Sequence, residues 1–514
     1  MSSKNFNRNT IASRLLHPDA FPHPVTHLRL LETHISWVIL TGKFAYKIKK
    51  PVQFDFVDYS SLDLRLQYCQ DEIKLNRRFA PELYLDVVPI IEHDKGLVVG
   101  DYPVSDSAMT DSNPIEYAVR MNEFSQDSIV AARLDHPDLT PKAVELFGQS
   151  IATFHETIKP DQPPEDCGQP IGIEHDAVDN FKTLRRELRD GIRLEKIEKI
   201  EKHTMAQLAT LEHKFVRRRT AGMVRHCHGD LHLKNIIQWE GKLLAFDGIE
   251  FNRQLQWIDV YSEIAFPVMD FVARGRADLA WRLLNSYLEA ADDYQDMDVL
   301  IFYLVYRAMV RAKVTWLNPA NHSQRIREES NREQSPENYF AGPWDKYLDA
   351  AAYFTFAMKP SLSITHGFSG SGKSTTALTL IEQEGGLRIR SDVERQRLAA
   401  RFHPQDTYSA EMTQRVYEYL AEQARSVIRA GMPVVIDATF LKRSQREIFE
   451  KLASELKVEF RIVTCDAPFD ELCKRINSRN ADASEATTDV LEMQMKTHQP
   501  LTTDELEFVR GLTS

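Results

Sequence analysis

The chain has 514 residues, 43% hydrophobic and 27% charged, with a formal net charge of −11. That length exceeds what one hydrophobic core serves and predicts two or three domains of ordinary globular composition. The negative balance argues against a general binder of nucleic acid or anionic membranes. The five cysteines (Cys69, Cys167, Cys227, Cys465, Cys473) are odd in number and form no CxxC pair, and read as reduced thiols of a cytoplasmic protein.

Residues 1–9 are polar and lack the apolar core of a signal peptide. From Val25 to Ile90 the pattern is strands with one helix. Ile35–Leu40 and Phe44–Lys49 have strand character, with Thr41-Gly42 as the turn between them, and Leu62–Phe79 is helical. Leu139 to Trp316 is dominated by amphipathic helical segments. Within it, Arg185–Glu201 reads as a solvated helix face. The apolar run Val299–Tyr306, closed by Arg307 and Arg311, is too short to span a bilayer and reads as a buried helix. Residues 318–345 are crowded with Pro, Asn, Ser, Glu and Arg and read as a linker region. Beyond them, candidate strands Ser361–His366, Leu387–Arg390, Pro433–Asp437 and Val458–Thr464 alternate with helices, notably Ala410–Ala430, closed by Gly431. This alternation implies a parallel sheet with helices on both faces.

The strongest motif is Gly367-Phe368-Ser369-Gly370-Ser371-Gly372-Lys373-Ser374, a complete P-loop with a strand before it and a helix, starting at Thr375, after it. Gly367, Gly370 and Gly372 let backbone N–H groups turn inward around phosphate oxygens at a helix N-terminus. Ser369, Ser371 and Thr375 belong to the same nucleotide-holding segment. Lys373 is expected to reach the β/γ-phosphates and Ser374 to hold Mg²⁺. Val434–Asp437 is a buried strand that ends in a carboxylate, the expected second Mg²⁺ position. Ala438 rather than Glu follows it, which leans toward phosphoryl transfer to a substrate rather than to water. Asp392, after the second strand, is placed to accept the acceptor's proton, with a helix N-cap as the alternative. Arg475 and Arg479 lie where a lid would neutralise transferring charge, with a solvated basic face as the alternative. Together these residues resemble the gluconate-kinase, zeta-toxin and polynucleotide-kinase-like group of small P-loop kinases over most of residues 360–514.

A second signature, His228-Gly229-Asp230-Leu231-His232-Leu233-Lys234-Asn235 followed by Phe246-Asp247-Gly248, resembles the catalytic loop of aminoglycoside phosphotransferases and related small-molecule kinases. The resemblance implies that Asp230 orients or deprotonates the acceptor hydroxyl, that Asn235 holds Mg²⁺, and that Asp247 bridges the metal to the phosphates. Ile236–Phe246 reads as two strands around Glu240-Gly241, returning Asp247 beside Asn235. His226-Cys227-His228-Gly229-Asp230 also resembles the start of the zinc signature of metallo-β-lactamase-type hydrolases. Leu231 stands where that signature needs His, and Asn235 and Asp247 would be idle. Upstream, Phe44-Ala45-Tyr46-Lys47 has the form of the kinase strand whose lysine contacts the phosphates, with Lys49 and Lys50 as competitors. Glu72 is the expected helix partner of that lysine, ahead of Asp71. Glu32-Thr33-His34-Ile35-Ser36 stands where kinases carry a Gly-rich loop. Asn122–Phe124 is a candidate adenine hinge, and Asp259 and Glu263 are candidate braces of the catalytic loop.

In this order the two halves resemble a bacterial family described as bifunctional aminoglycoside phosphotransferase-like/ATP-binding proteins. The expectation is an α/β and α+β multidomain chain. Residues 1–340 would form a two-lobed protein-kinase-like domain, with an N-lobe at about 25–125 and a helical C-lobe at about 126–317. Residues 359–514 would form a P-loop NTPase domain with a parallel sheet. The expected activity is ATP- and Mg²⁺-dependent phosphotransfer, at two nucleotide sites, to a small hydroxyl-bearing molecule, with neither membrane nor nucleic acid as partner. The alternative is one active P-loop kinase, acting on a small molecule or a polynucleotide 5′-hydroxyl, regulated by a degenerate kinase-like domain.

Overall fold

The computed structural model describes residues 10–54, 57–94, 96–101, 113–158, 162–188, 191–318, 342–404, 407–478 and 487–510. Most of the expected linker and Arg479 lie outside the described residues. The chain forms two compact units. The first comprises Met1–Ala143, Thr157–Gly168 and Gly222–Glu263, and the second Val144–Glu156, Gln169–Ala221 and Ile264–Ser514.

The first unit is built on strands β1 (Arg29–Glu32), β2 (Ser36–Leu40), β3 (Phe44–Lys49), the short pair β4 (Gln53–Phe54) and β5 (Val57–Asp58), β6 (Tyr84–His93), β7 (Gly96–Val99) and β8 (Pro114–Asn122). Six of them make an antiparallel sheet in the order β1-β2-β3-β8-β6-β7. Side chains alternate across a strand, so β3 serves two cores. Tyr46 and Ile48 join Leu15, Ile39 and Ala118 on one face. Ala45 joins Cys69, Ile73, Val87 and Val119 on the other, where the helix Leu62–Asn76 packs. Lys47 and Lys49 share the parity of Ala45. That helix begins where the Ser61 hydroxyl accepts the Leu64 N–H at 3.2 Å. At the Thr41-Gly42 turn, Gly42 has φ +94°, and a Cβ there would lie 1.8 Å from Thr26 Oγ1. The Glu123 carboxylate accepts the N–H groups of Thr41 and Gly42 at 2.9 and 2.6 Å.

Two further antiparallel pairs complete this unit: β9 (Val224–His226) with β12 (Trp257–Asp259), and β10 (Ile236–Trp239) with β11 (Lys242–Ala245). The second is a hairpin closed by Glu240 and Gly241 at φ +47° and +81°. Two successive left-handed residues match the twist of a two-residue hairpin.

The second unit holds a four-stranded parallel sheet, β13 (Ser361–His366), β14 (Leu387–Arg390), β15 (Val434–Asp437) and β16 (Glu459–Thr464), in the order β14-β15-β13-β16. The P-loop strand β13 is therefore internal. Helices Lys373–Glu384, Ala410–Arg429 and Arg443–Leu456 pack on these strands. Gly431, at φ +89°, ends the helix Ala410–Arg429. Val299–Tyr306 lies within a longer helix, Met297–Leu317, that is mostly buried.

The stretch Arg185–Glu201 departs from a uniformly solvated face. Arg185 and Glu201 do pair in the open, at 3.0 Å. Arg193 is buried, forked onto buried Asp345 at 2.8 and 2.5 Å and 4.6 Å from the Trp344 ring centre. A bidentate carboxylate and an aromatic face together replace the water a guanidinium would lose. Among the described residues no helix is long and apolar enough to cross a membrane, and the five cysteines are unbonded.

An edge strand exposes unpaired backbone groups, and β14 has an edge position. Asn285, buried on the helix Ala277–Ala291, covers part of that edge. Its amide donates to the Gly386 carbonyl at 3.0 Å and accepts the Arg388 N–H at 2.6 Å. Asn285→Leu is expected to lower unfolding stability by roughly 1–3 kcal/mol for each backbone group left buried and unpaired. Urea unfolding with an unchanged slope reads it out.

Candidate active sites

In the first unit, β3 delivers Lys47, the helix Leu62–Asn76 delivers Glu72, and the segment after β11 delivers Asp247. Lys47 Nζ lies 2.8 Å from Glu72 Oε1 and 2.5 Å from Asp247 Oδ1. Glu72 is fully buried. Burial pushes its carboxyl up, but the ammonium groups of Lys47 and Lys49 outweigh this and hold it below the ordinary value. Partial desolvation raises the half-exposed Asp247 carboxyl, and Lys47 outweighs this and brings it below the ordinary carboxylate range.

The three candidate lysines part company here. Lys50 turns to Glu32 at 2.7 Å and to the Thr33 carbonyl at 2.6 Å. Lys49 joins Lys47 on Glu72, taking Oε2 at 2.8 Å, and also pairs with Glu250. Glu72, rather than Asp71, meets both lysines. Tyr59 donates to Glu250 Oε1 at 2.7 Å. Tyr59 and Glu250 carry no motif in the sequence, and only the Asp247-x-x-Glu250 spacing hints at the second of them.

The loop of Asp230 is fixed from several sides. Glu263 accepts the N–H groups of His228 and Gly229 at 2.6 and 3.1 Å. Asn235 Nδ2 donates to the Asp230 carbonyl at 2.9 Å and to Asp230 Oδ2 at 3.0 Å. His228 spans the loop and the hairpin: its Nε2 lies 2.9 Å from the Phe246 carbonyl and its Nδ1 accepts the Asp230 N–H at 3.3 Å. A carbonyl only accepts, so the ring is neutral with its proton on Nε2. Burial agrees, pushing the His228 pKa down to about 4. Both ring nitrogens are thus engaged, and His226 Nδ1 faces the Arg78 guanidinium at 3.0 Å. The arrangement gives a zinc ion no imidazole pair. It suits Mg²⁺ better, since the Asn235 amide oxygen and the half-exposed Asp247 carboxylate are hard oxygen donors. In the β1–β2 turn, the Thr33 hydroxyl closes its own hairpin, accepting the Ser36 N–H at 2.9 Å.

In the second unit, the P-loop runs from β13 into the helix Lys373–Glu384. Gly367, Gly370 and Gly372 have φ +154°, +86° and +94°. A Cβ on Gly367 would sit 2.1 Å from the Cys465 carbonyl oxygen. The loop faces a cavity of about 1260 Å³ that Ser369, Gly370, Ser371, Gly372, Lys373, Ser374 and Thr375 line, together with Asp392, Asp437 and Arg475. Gly367 sits outside the lining, at the strand end. Lys373 Nζ donates to the Phe368 carbonyl at 2.7 Å, and Arg475 to that of Gly370 at 3.3 Å. Among the described residues, Asp437 Oδ2 and Ser371 Oγ are buried with no hydrogen-bond partner, and Asp437 Oδ2 has the Arg388 guanidinium 3.9 Å away. Oxygens without a hydrogen bond at this position fit a hydrated Mg²⁺ and a phosphate. Gln494 accepts the Ser369 N–H and donates to its hydroxyl, both at 3.0 Å. It lies 125 residues away in sequence, with no motif to announce it.

Residues 362–501 match the model of the AAA domain family. The C-terminal part is an AAA-type P-loop domain. An uncharacterized protein of Mycobacterium tuberculosis is 26% identical over 482 residues, 91% of this chain and 90% of its own length. Among solved structures, a choline/ethanolamine kinase family protein from Mesorhizobium loti has a TM-score of 0.36 at 10% identity, covering 66% of this chain and 97% of its own. A gluconokinase from Sinorhizobium meliloti has a TM-score of 0.24 at 19% identity, covering 30% of this chain and 82% of its own.

His228 gives a signed pH prediction. The unfolded chain protonates it near 6.5 and the folded chain only near about 4, so the unfolded state binds more protons between those values. His226 shifts in the same direction, also to about 4. Stability is therefore expected to fall as pH drops through that window. Calorimetric Tm at pH 7.5 and pH 5 checks it, and a Tm that stays level or rises on acidification contradicts it.

Proposed function

We propose that each unit binds ATP with Mg²⁺ and that each transfers the γ-phosphate to the hydroxyl of a small molecule, making the chain a cytoplasmic phosphotransferase with two sites. The observation that carries this reading is the convergence, in one unit, of Lys47, Glu72 and Asp247 with the Asp230–Asn235 loop, while the other unit presents a complete P-loop over a cavity that includes Asp392 and Asp437.

In the first unit, Lys47 leaves Asp247 for phosphate oxygens. Asn235 and Asp247 hold the metal. Asp230 keeps one carboxylate oxygen on Asn235 and uses the other to take the acceptor's proton. In the second unit, Lys373 exchanges the Phe368 carbonyl for phosphate, Ser374 and Asp437 hold the metal, and Asp392 takes the proton. Bound Mg²⁺ neutralises phosphate charge during transfer. At either site the acceptor oxygen bonds to the γ-phosphorus as the bond to the β-bridging oxygen breaks, and ADP leaves with that electron pair. No carboxylate follows Asp437 to activate water, which favours a hydroxyl acceptor.

A second reading has one specific support: the Lys47–Asp247 pair is closed, and Thr33 spends its hydroxyl within its own turn. It makes the first unit a regulator of one P-loop kinase. Transfer from γ-labelled ATP into a small-molecule cell extract separates the two. Asp230→Asn and Lys373→Ala are each expected to remove a different labelled product, the first by about 10²–10⁴-fold as for loss of a general base. If only Lys373→Ala removes a product, the regulatory reading replaces the first.

A further inference from the structure

A kinase-type lysine ordinarily carries two duties at once: it holds the helix carboxylate and it contacts phosphate. Here the carboxylate has two lysines. Strand periodicity puts Lys47 and Lys49 on the same face of β3, two residues apart, and Glu72 gives one oxygen to each at 2.8 Å. Lys49 is buried and makes its second ion pair to Glu250, which also accepts the Tyr59 hydroxyl. Lys49 is 1% exposed, Tyr59 0% and Glu250 8%, so none of the three lies open to a ligand.

Lys47 and Asp247 Oδ1 are paired, and this contact must loosen for Lys47 to turn to phosphate. The backbone around Asp247 has fixed partners that need not change. The Asp247 N–H donates to the Tyr84 hydroxyl at 2.9 Å, the Gly248 N–H to Asn76 Oδ1 at 2.8 Å and the Ile249 N–H to the His228 carbonyl at 3.0 Å. Glu250 ends this run and is pinned by Lys49 and Tyr59. The same ammonium therefore anchors the helix carboxylate and the far end of the metal-bearing turn.

We propose that Lys49, Glu250 and Tyr59 are positioning residues of the first site, holding Glu72 and the Asp247–Glu250 turn in register while Lys47 and Asp247 exchange each other for nucleotide and metal. This rests on the first unit's being a nucleotide site. It gives that unit a device for ordering its phosphate end that uses no Gly-rich loop.

The test uses the full chain with Lys373→Ala, which silences the P-loop. The variant Lys49→Met/Glu250→Gln removes both charges together, so that neither is left buried alone. Calorimetric titration with Mg·ATP and with metal-free ATP, beside Tm, gives readouts apart from turnover. The double variant is expected to keep its fold and to bind Mg·ATP at least about tenfold more weakly, the loss of one hydrogen bond to a charged group. Metal-free ATP is expected to change less. Binding of Mg·ATP within about twofold of the parent, against the tenfold of one such bond, overturns the proposal. If the double variant does not fold, Tyr59→Phe carries the test: it deletes one hydroxyl, and Mg·ATP binding that weakens at unchanged Tm supports the proposal while unaltered binding overturns it. A parent that binds no nucleotide overturns the two-site reading, and this proposal with it.

Discussion

A carboxylate with no access to water must find cations inside the protein, and Glu72 finds two. The cost of burying an unpaired charge is several kcal/mol, so this requirement constrains everything around it. It fixes which way β3 faces, because Lys47 and Lys49 must both point at the helix Leu62–Asn76. It fixes where the segment after β11 lies, because Asp247 and Glu250 take the remaining valences of the same two lysines. The candidate site of the first unit is thus one ion cluster assembled from a strand, a helix and a loop. Its order is set by mutual neutralisation rather than by any one residue's local preference.

The candidate site of the AAA-type domain is assembled differently. The lining of its cavity includes one contiguous stretch, Ser369 to Thr375, and the loop Gly367–Ser374 bends at three glycines of positive φ. There the constraint is steric: the Cys465 carbonyl lies where a Cβ on Gly367 would stand. Side chains are added afterwards, Asp437 from the neighbouring strand β15 and Arg475 from a later helix. The proposed function gives one chain two routes to phosphate binding, one of converging charges and one of aligned amides.

This difference explains what the sequence discloses. The strand–loop–helix around Lys373 is legible because its parts are adjacent and each glycine has a local reason. The β10–β11 hairpin is legible for the same reason, through Glu240-Gly241. The helix Leu62–Asn76 and the alternating strands around the P-loop follow from periodicity. The ion cluster is only half legible. Lys47, Lys49 and Lys50 are equivalent in composition, and their separation depends on strand parity and on partners as far as 201 residues away. Tyr59 and Gln494 carry no pattern at all and Glu250 only its spacing from Asp247, since what defines each is a distant contact. Arg193 shows the converse error: a charged helix reads as solvated until the buried Asp345 and the Trp344 face that receive it are seen.

The central claim is that one chain holds two independent nucleotide sites. Calorimetric titration of the intact protein with Mg²⁺ and a non-hydrolysable ATP analogue tests it without reference to any acceptor. The account predicts two equivalents bound per chain, and one in Lys373→Ala. One equivalent in the intact protein and none in Lys373→Ala would contradict it.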